Sequence, residues 1–313
     1  MQHANWARRP VIITGAAGFL GRHLIKALAK AGATVLALDQ AAPPMDLPSG
    51  VQWRQVDLMS PLGLAEGLGQ GPGPAVDTVL FHFAALSMPV DCARDPRRAR
   101  DLNAGMATAL GRAWLEQGGR QLIFASSALV YAPVQGSVNI SEDSPVLGRD
   151  PYTEAKLAAE EGLSTLAAKD GLALQILRLS NVYGPGAHSG TVVLEAMEMA
   201  RAGKTPIMRR PGVELDLLYI DDVIQGMLLL ANLEPVAGCR IVNLATGKGW
   251  RVAQMATEIS RLAGVEPPPD DETQPGYGQR LVLDNSRLRS LTGWTPQTEL
   301  TQGLELTWPA YCA

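Results

Sequence analysis

The sequence has few cysteines and no long hydrophobic run, and both absences exclude classes of protein. Its three cysteines, Cys92, Cys239 and Cys312, lie far apart, and none belongs to a CxxC or Cys/His spacing. We therefore predict a reducing compartment, no disulfide framework and no bound metal. The apolar runs, such as GMLLLANLEP, are far shorter than the roughly 20 residues that cross a bilayer.

An excess of positive charge is also missing. The 313 residues carry 27 Lys and Arg against 31 Asp and Glu, a formal net charge of -4. Nothing in this balance points to nucleic acid or an anionic membrane, so we predict neither as a partner. The start of the chain shows no targeting signal, because its apolar run VIITGAAGFLG is broken by glycines and lacks a cleavage-like site. We expect a cytoplasmic protein.

Strand-like and helix-like segments alternate in the first half of the chain. Apolar or β-branched runs predict strands at 10–14, 33–39, 50–56, 77–83, 120–126 and 172–179. Helical patterns lie near 19–31, 60–68, 96–117 and 151–169. The strand runs are continuously apolar, as expected when helices cover both faces of a parallel sheet. The alternation predicts an α/β fold with a doubly wound parallel sheet.

The character of the chain changes after residue 180, where loops become longer and richer in Pro and Gly. A chain of this length favours a large domain with a smaller one appended. We predict a first domain over 1–180, to which 214–233 returns. Residues 181–213 and 234–313 are predicted to form a smaller, mainly C-terminal lobe.

The motif TGAAGFLG joins the first strand to the first helix. Gly15, Gly18 and Gly21 allow a tight turn and let backbone amides, including those of Phe19 and Leu20, approach a pyrophosphate at the helix N-terminus. The combination of strand, glycine loop and helix predicts a dinucleotide-binding first domain.

Asp39 closes the second strand, where a carboxylate accepts hydrogen bonds from an adenosine ribose. A carboxylate there repels a 2′-phosphate, and the next residue is Gln40 rather than Arg, so we predict NAD rather than NADP. Further cofactor contacts are predicted at the ends of the third and fourth strands, from Asp57, Leu58, Ala84 and Ala85. His82 is interpreted as a packed histidine at a strand end.

The stretch FASSALVY and the later DPYTEAK predict a reactive cluster. Ser126 and Ser127 emerge at the carboxyl end of the fifth strand, where ligands bind in such sheets. Tyr152 and Lys156 follow one turn apart on a helix. Lowering the pKa of a phenol from about 10 to about 7 requires roughly 4 kcal/mol of differential stabilisation of its ionised form. The Lys156 ammonium and an oxidised nicotinamide would both favour the phenolate, which could then take a proton from a substrate hydroxyl.

These motifs, with FHFAAL, DLNAGMATAL, RLSNVYGPG, LLYIDDV and LTGWTPQTELTQGLELT, resemble those of the extended short-chain dehydrogenase/reductase family, in its NAD-dependent epimerase/dehydratase group. The resemblance covers nearly the whole chain and implies a Rossmann-type sheet with a C-terminal substrate lobe. It implies catalysis by Ser127, Tyr152 and Lys156. Lys156 would also bind the nicotinamide ribose, and Ser126 would contribute to the cofactor site.

The resemblance also assigns roles outside the catalytic set. It places Asn103 beside the cofactor site, where it supports architecture and water, and Asn181 near the nicotinamide and the substrate. Members of the family often form homodimers through two long helices, here 96–117 and 151–169.

Two departures from the family pattern narrow the activity. Dehydratases carry an acidic pair directly after the catalytic Ser or Thr, and Ala128 and Leu129 occupy those positions here, so dehydration is not expected. Enzymes of nucleotide sugars use two arginines for the diphosphate, and this sequence has Leu215 and Gln274 there. The candidates to compensate are Arg209, Arg210 and Arg280.

Three hypotheses about function follow. The first is an NAD-dependent nucleotide-sugar 4-epimerase or 4-ketoreductase. The second is a dehydrogenase of a sugar, sugar acid or polyol without a nucleotide, which Leu215 and Gln274 favour. The third is a non-catalytic NAD-binding sensor or scaffold, since a fold does not determine a function.

Overall fold

The computed structural model describes residues 6–69, 77–133, 136–270, 273 and 275–312. Its strands are β1 (Pro10–Thr14), β2 (Thr34–Asp39), β3 (Val51–Gln55), β4 (Val79–His82), β5 (Gln121–Ser127), β6 (Ala173–Leu179), β7 (Asn181–Tyr183), β8 (Glu214–Leu215), β9 (Leu217–Tyr219), β10 (Gly238–Leu244), β11 (Trp250–Arg251) and β12 (Arg280–Leu281).

The α-helices in the described part of the chain are α1 (Phe19–Lys30), α2 (Pro61–Gly69), α3 (Pro89–Arg94), α4 (Pro96–Arg100), α5 (Met106–Glu116), α6 (Pro151–Asp170), α7 (Val192–Arg201), α8 (Ile220–Ala231), α9 (Val252–Ala263), α10 (Ser286–Thr292), α11 (Leu300–Thr307) and α12 (Pro309–Cys312). None of these described helices combines the length and apolar character needed to span a bilayer. The helix predicted over 96–117 is divided, because a π-helical turn at Asp101–Gly105 separates α4 from α5.

Seven strands form one sheet in the order β10-β6-β5-β4-β1-β2-β3. The pairs β1–β2, β2–β3, β1–β4 and β4–β5 are parallel. From β1, the strands β2 and β3 are added on one side, and β4, β5 and β6 on the other. This order is that of a doubly wound Rossmann-type sheet and confirms the predicted fold class. Strand β10 was not predicted. Its sequence GCRIVNL mixes polar with apolar residues, and only its last three residues are buried.

The continuous apolar runs are buried because helices cover the sheet. Val11, Ile12 and Ile13 of β1 are at most 1% exposed. Ile12 belongs to a core that also contains Leu80 of β4 and Trp114 of α5. A side chain on either face of such a strand meets an apolar layer, which explains the absence of polar alternation.

The chain divides into two compact units. The first unit comprises Met1–Val130, Val146–Arg178 and Met227–Val242. The second comprises Tyr131–Pro145, Leu179–Gly226 and Asn243–Ala313. The return to the first unit therefore consists of the end of α8 and most of β10, whereas the sequence placed it at 214–233. The pairing of β10 beside β6 accounts for the later segment.

Helix α6 has strong signals at both ends. Asp150 accepts a hydrogen bond from the Thr153 backbone N–H at 2.9 Å, and the Thr153 hydroxyl oxygen accepts one from the Asp150 N–H at 3.2 Å. This reciprocal capping box fixes the first turn. Gly171 ends the helix in the left-handed conformation, with φ of 74°. The helix that carries Tyr152 and Lys156 is thus set by local sequence.

A buried carboxylate organises the second unit. Asp216 lies between β8 and β9 and is fully buried. It accepts hydrogen bonds from the Thr246 N–H and hydroxyl, both at 2.8 Å, and from the Gly247 N–H at 2.9 Å. Burial nevertheless raises the pKa of Asp216 to about 6. The side chain ties the small strands to the turn after β10.

Asp216 should make the stability of the folded protein depend on pH. The unfolded chain releases this proton near pH 4, whereas the folded chain keeps it up to about pH 6. Because the folded state binds the proton more tightly, the free energy of unfolding should fall as the pH rises through this interval. Asp216→Asn, which resembles the protonated acid, should lack this component. Thermal denaturation of both proteins at several pH values checks it; a difference between them that does not vary with pH would contradict it.

Candidate active site

The glycine loop between β1 and α1 is packed too tightly for a side chain at Gly15 or at Gly21. Gly15 has φ of +68°, and a Cβ there would lie 2.5 Å from the backbone nitrogen of Ala84. A Cβ on Gly21 would lie 2.3 Å from the carbonyl oxygen of Gly15. The loop therefore lies directly against the end of β4 and against the first turn of α1.

The start of α1 fits a diphosphate. Gly18 is the N-cap residue and has no side chain with which to satisfy the first amides of this 12-residue helix. Phe19, 9% exposed, and Leu20, partly exposed, form the first turn as predicted from the motif. Free amides and the positive end of the helix dipole favour an anionic ligand at this point.

Asp39 helps to shape the loop. One carboxylate oxygen accepts a hydrogen bond from the Ala17 N–H at 2.9 Å, and the other accepts one from the Ala41 N–H at 2.9 Å. The side chain is partly exposed, and a carboxylate has about four acceptor positions, so capacity remains for a ribose. Asp57 is engaged by its neighbours, since it accepts from the Gln40 amide at 2.7 Å and the Met59 N–H at 3.0 Å.

The other predicted strand-end contacts divide into buried and partly exposed groups. The side chain of Leu58, 4% exposed, packs in the hydrophobic core. Ala84 and Ala85 are partly exposed just after β4. The Thr14 hydroxyl connects β1 with the end of β4. It lies 2.7 Å from His82 Nδ1 and accepts a hydrogen bond from the Ala84 N–H at 3.3 Å.

His82 is buried and uncharged at neutral pH. It is 1% exposed, and burial, assisted by the charge of Lys156, lowers the pKa of His82 to about 3. A group that stays neutral in this way provides packing and a hydrogen bond to Thr14.

Asn103 supports the architecture around the candidate site. Its carbonyl oxygen accepts a hydrogen bond from the Leu86 N–H at 2.7 Å, and its amide donates to the Leu86 carbonyl at 3.0 Å. Asn103 is 1% exposed and lies in the π-helical turn, which directs it towards the segment after β4. Both ends of its amide are thus used to hold that backbone.

The predicted catalytic residues come together at the junction of α6 and β5. The Ser127 hydroxyl lies close enough to Tyr152 to lower the pKa of its phenol. The Lys156 ammonium donates to the Ala125 carbonyl at 2.9 Å and lies 5.0 Å from the ring centroid of Phe124. All three predicted residues are at most 9% exposed. A phenol, a hydroxyl and an ammonium therefore share one buried corner at the carboxyl end of the sheet.

Burial acts against the ionised form of both reactive groups. It raises the pKa of Tyr152, while the hydrogen bond to Ser127 lowers it. Burial lowers the pKa of Lys156 to about 8, while the charge of Glu160 raises it. The charge of Lys156 is not among the causes that shift the pKa of Tyr152 in the protein alone. The activation of Tyr152 by the two cations together stays a prediction.

Sequence reasoning missed a second set of buried polar residues beneath this corner. Glu160 forms a bidentate ion pair with Arg178, with N···O distances of 3.1 and 2.7 Å. Ser126 donates a hydrogen bond to the same carboxylate, so its hydroxyl is engaged below the predicted cofactor site. Cys92, fully buried, packs with Tyr152. The available signal was spacing, since Glu160 lies one further turn beyond Lys156.

The remaining predicted substrate residues lie in the second unit. The Asn181 amide donates to the Asp216 carbonyl at 3.3 Å. Gln274 lies outside the described residues. Arg209 and Arg210 are exposed.

Arg280 does not take the place of an arginine at position 215. It lies opposite Glu214 in the sheet and binds that carboxylate through Nε at 3.1 Å. Successive residues of a strand point to opposite faces, so Leu215 faces away from this pair. Arg280 instead lines a cavity of about 560 Å³, together with Glu214, Arg251, Gln254, Tyr277 and other residues. Arg251 in turn is paired with Asp270, whereas Arg280 Nη1 is buried without a hydrogen-bond partner in the described part of the chain.

Comparison with known proteins identifies relatives over nearly the whole chain. The sequence model of the NAD dependent epimerase/dehydratase family matches residues 11–245. A UDP-glucose 4-epimerase of Azospirillum brasilense is 27% identical, over 94% of this chain and 89% of its own length. The crystal structure of a Thermus thermophilus UDP-glucose 4-epimerase complex with NAD is 28% identical with a TM-score of 0.83, covering 96% of this chain and 98% of that one. A Thermotoga maritima UDP-glucose 4-epimerase with UDP-glucose is 25% identical with a TM-score of 0.85, over the same shares.

Replacing Gly15 should damage the loop far more than replacing Gly18. Gly15→Ala places a methyl group against the backbone after β4 at a positive φ, and we expect the free energy of unfolding to fall by more than about 2 kcal/mol. Gly18 has φ of -71°, and an added Cβ there meets only the Gly15 carbonyl oxygen, at 3.1 Å. Gly18→Ala is therefore the matched control and should cost less than about 1 kcal/mol. Urea denaturation measures both, and equal losses would contradict the packing described.

Proposed function

The chain belongs to the NAD dependent epimerase/dehydratase family, and we propose that it catalyses the 4-epimerisation of a nucleotide sugar with NAD as its cofactor. The observation that carries the proposal is the buried contact of Tyr152 with Ser127, one helical turn from Lys156. The names of the similar epimerases support this choice of reaction, since those proteins match 94% and 96% of this chain.

The chain's own residues would handle the proton. Tyr152 would take a proton from a substrate hydroxyl and later return it to the same oxygen, and Ser127 would hold that oxygen by a hydrogen bond. The Lys156 ammonium, one helical turn away, would stabilise the phenolate by its opposite charge. When bound, NAD supplies a reversible hydride acceptor. The dry corner favours these roles because electrostatic interactions are stronger where water is excluded.

Removal of water from the substrate is not part of the proposal. Ala128 and Leu129 follow Ser127, and neither side chain can donate a proton to a departing hydroxyl. An oxidised intermediate held in this site would therefore be reduced again rather than dehydrated. Reduction from the opposite face of the sugar gives the epimer and regenerates the starting cofactor.

A second candidate function keeps the same chemistry on a smaller substrate. Leu215 offers no charge to a diphosphate, and Arg280 already binds Glu214. Both observations favour a dehydrogenase of a sugar, sugar acid or polyol without a nucleotide. That reaction would produce NADH in proportion to product, whereas epimerisation would leave the absorbance of the cofactor unchanged.

The Tyr152→Phe variant tests the proposed function. It should lower kcat for the interconversion of UDP-glucose and UDP-galactose by about 100-fold or more, because the proton acceptor is lost while packing is kept. NAD binding, measured by thermal shift, should remain. The substrates are followed by chromatography and the cofactor by absorbance at the NADH band.

The other outcomes are distinct. Net NADH formation from a free sugar or sugar acid, without conversion of nucleotide sugars, would favour the second candidate. If the wild type and Tyr152→Phe gave the same turnover profile while both still bound NAD, the result would favour a non-catalytic NAD-binding sensor or scaffold. It would overturn both enzymatic hypotheses.

We also propose a homodimer in the cytoplasm. Helices α5 and α6 pack closely within one chain, since Gly162 lies against Thr108 and Gly111 lies against Leu163. Their outward faces remain to be covered by the same helices of a second copy. The free thiols of Cys92 and Cys239 suit a reducing compartment.

The Ala109→Arg variant tests the homodimer. Ala109 is exposed on α5, and a bulky cation there should convert a dimer into a monomer by preventing close approach. Ala202→Arg, at an exposed position after α7, is the matched control and should leave the mass unchanged. Light scattering coupled to size-exclusion chromatography gives the mass. A wild-type monomer, or a dimer that persists in Ala109→Arg, would contradict the proposed interface.

A further inference from the structure

Three residues on one face of α6 contact the end of β5. Tyr152, Lys156 and Glu160 follow one another at intervals of four residues and are 8%, 5% and 6% exposed. Residues four apart lie on the same side of a helix. Each of the three meets a different residue at the end of β5, so the helix is held along two full turns.

The contacts occur at three consecutive positions of the strand. Tyr152 meets the Ser127 hydroxyl, Lys156 donates to the carbonyl of residue 125, and Glu160 accepts from the Ser126 hydroxyl. Any shift of Glu160 would therefore move Lys156 relative to the strand that carries Ser127.

Glu160 is itself fixed from a third element. Arg178 of β6 is 4% exposed and binds both carboxylate oxygens of Glu160. Bidentate geometry of this kind adds orientation as well as attraction. The carboxylate is thus held by β5 and β6 together and has little freedom to move.

The charges in this layer are unequal. Lys156 and Arg178 are two buried cations, and Glu160 is one buried anion. The other titratable groups that interact with Lys156 in the described chain are His82 on β4 and Cys92 on α3. Burial favours the neutral form of both, because it lowers the pKa of His82 and raises the pKa of Cys92. Glu160 is therefore the counter-charge on which Lys156 depends in this part of the protein.

We propose that Glu160 is a positioning residue for the reaction: fixed by Arg178 and Ser126, it keeps Lys156 as an ammonium ion and holds it in register beneath Tyr152. The inference rests on the proposed function, since it concerns the same proton transfer. It adds a charged residue that never touches the substrate.

The pKa of Lys156 shows why this counter-charge matters. Burial brings it down to about 8, and Glu160 is the first of the effects that oppose burial. Without the carboxylate charge, the ammonium would lose its proton nearer to neutral pH. Tyr152 would then lose the cation that favours its phenolate over the upper part of the pH range.

Glu160→Gln is the test, because glutamine keeps the shape and an acceptor for Ser126 but removes the charge. We expect the alkaline limb of the kcat profile to move down by about one pH unit, with kcat at pH 8 reduced about fivefold and KM changed far less. Glu154→Gln, an exposed neutralisation on the same helix, is the matched control and should reproduce the wild-type profile.

A second variant covers loss of folding. If Glu160→Gln alone is unstable because Arg178 lacks this carboxylate, Glu160→Gln/Arg178→Gln removes both charges of the pair. It should show an alkaline shift in the same direction, but a smaller one, because a cation near Lys156 is lost as well. Circular dichroism establishes folding for each protein. A profile with the wild-type alkaline limb in either folded variant would overturn the proposal.

A readout independent of turnover separates this inference from the proposed function. The protonation of Lys156 can be followed by carbon-13 NMR of its ε-carbon, assigned with Lys156→Met. The midpoint should lie lower in Glu160→Gln than in the wild type or Glu154→Gln. If nucleotide sugars are not converted but this shift is seen, the proposed function fails and the role of Glu160 stands. If conversion is seen without the shift, the role of Glu160 fails alone.

Discussion

The alignment of one helical face with the end of one strand is the constraint on which the candidate active site depends. Tyr152, Lys156 and Glu160 are buried along α6, and each is held by an atom of β5. Burial of a phenol, an ammonium and a carboxylate is costly unless each finds a partner. The fold therefore has to place Ser127 and its two preceding residues within reach, or the helix would not pack.

That constraint also explains the electrostatics. Burial raises the pKa of Tyr152 and lowers the pKa of Lys156, so dryness by itself works against a phenolate beside an ammonium. The Ser127 hydroxyl and the Glu160 charge oppose these effects. Burial thus opposes the ionised forms that the reaction needs. A bound positive cofactor ring would lower the pKa of Tyr152, as Ser127 does.

The predicted cofactor residues and the residues considered for a diphosphate lie in different units of the chain. Gly15 and Asp39 retain the geometry that suits NAD, with the loop lying against β4. In the second unit, Leu215 offers no charge to a diphosphate, and Arg280 is paired with Glu214.

The sequence alone determined the order of strands and helices in the first unit, the glycine loop and the spacing of Tyr152 and Lys156, because these depend on local hydrophobic pattern, turn chemistry and helical period. It did not reveal β10, the division of the helix before Met106, or the pairing of Glu160 with Arg178 on a different strand. Those features depend on which segments lie side by side across long stretches of chain. A charged residue can be identified as a buried ion-pair member only when its partner is known. Tertiary packing determines that partner.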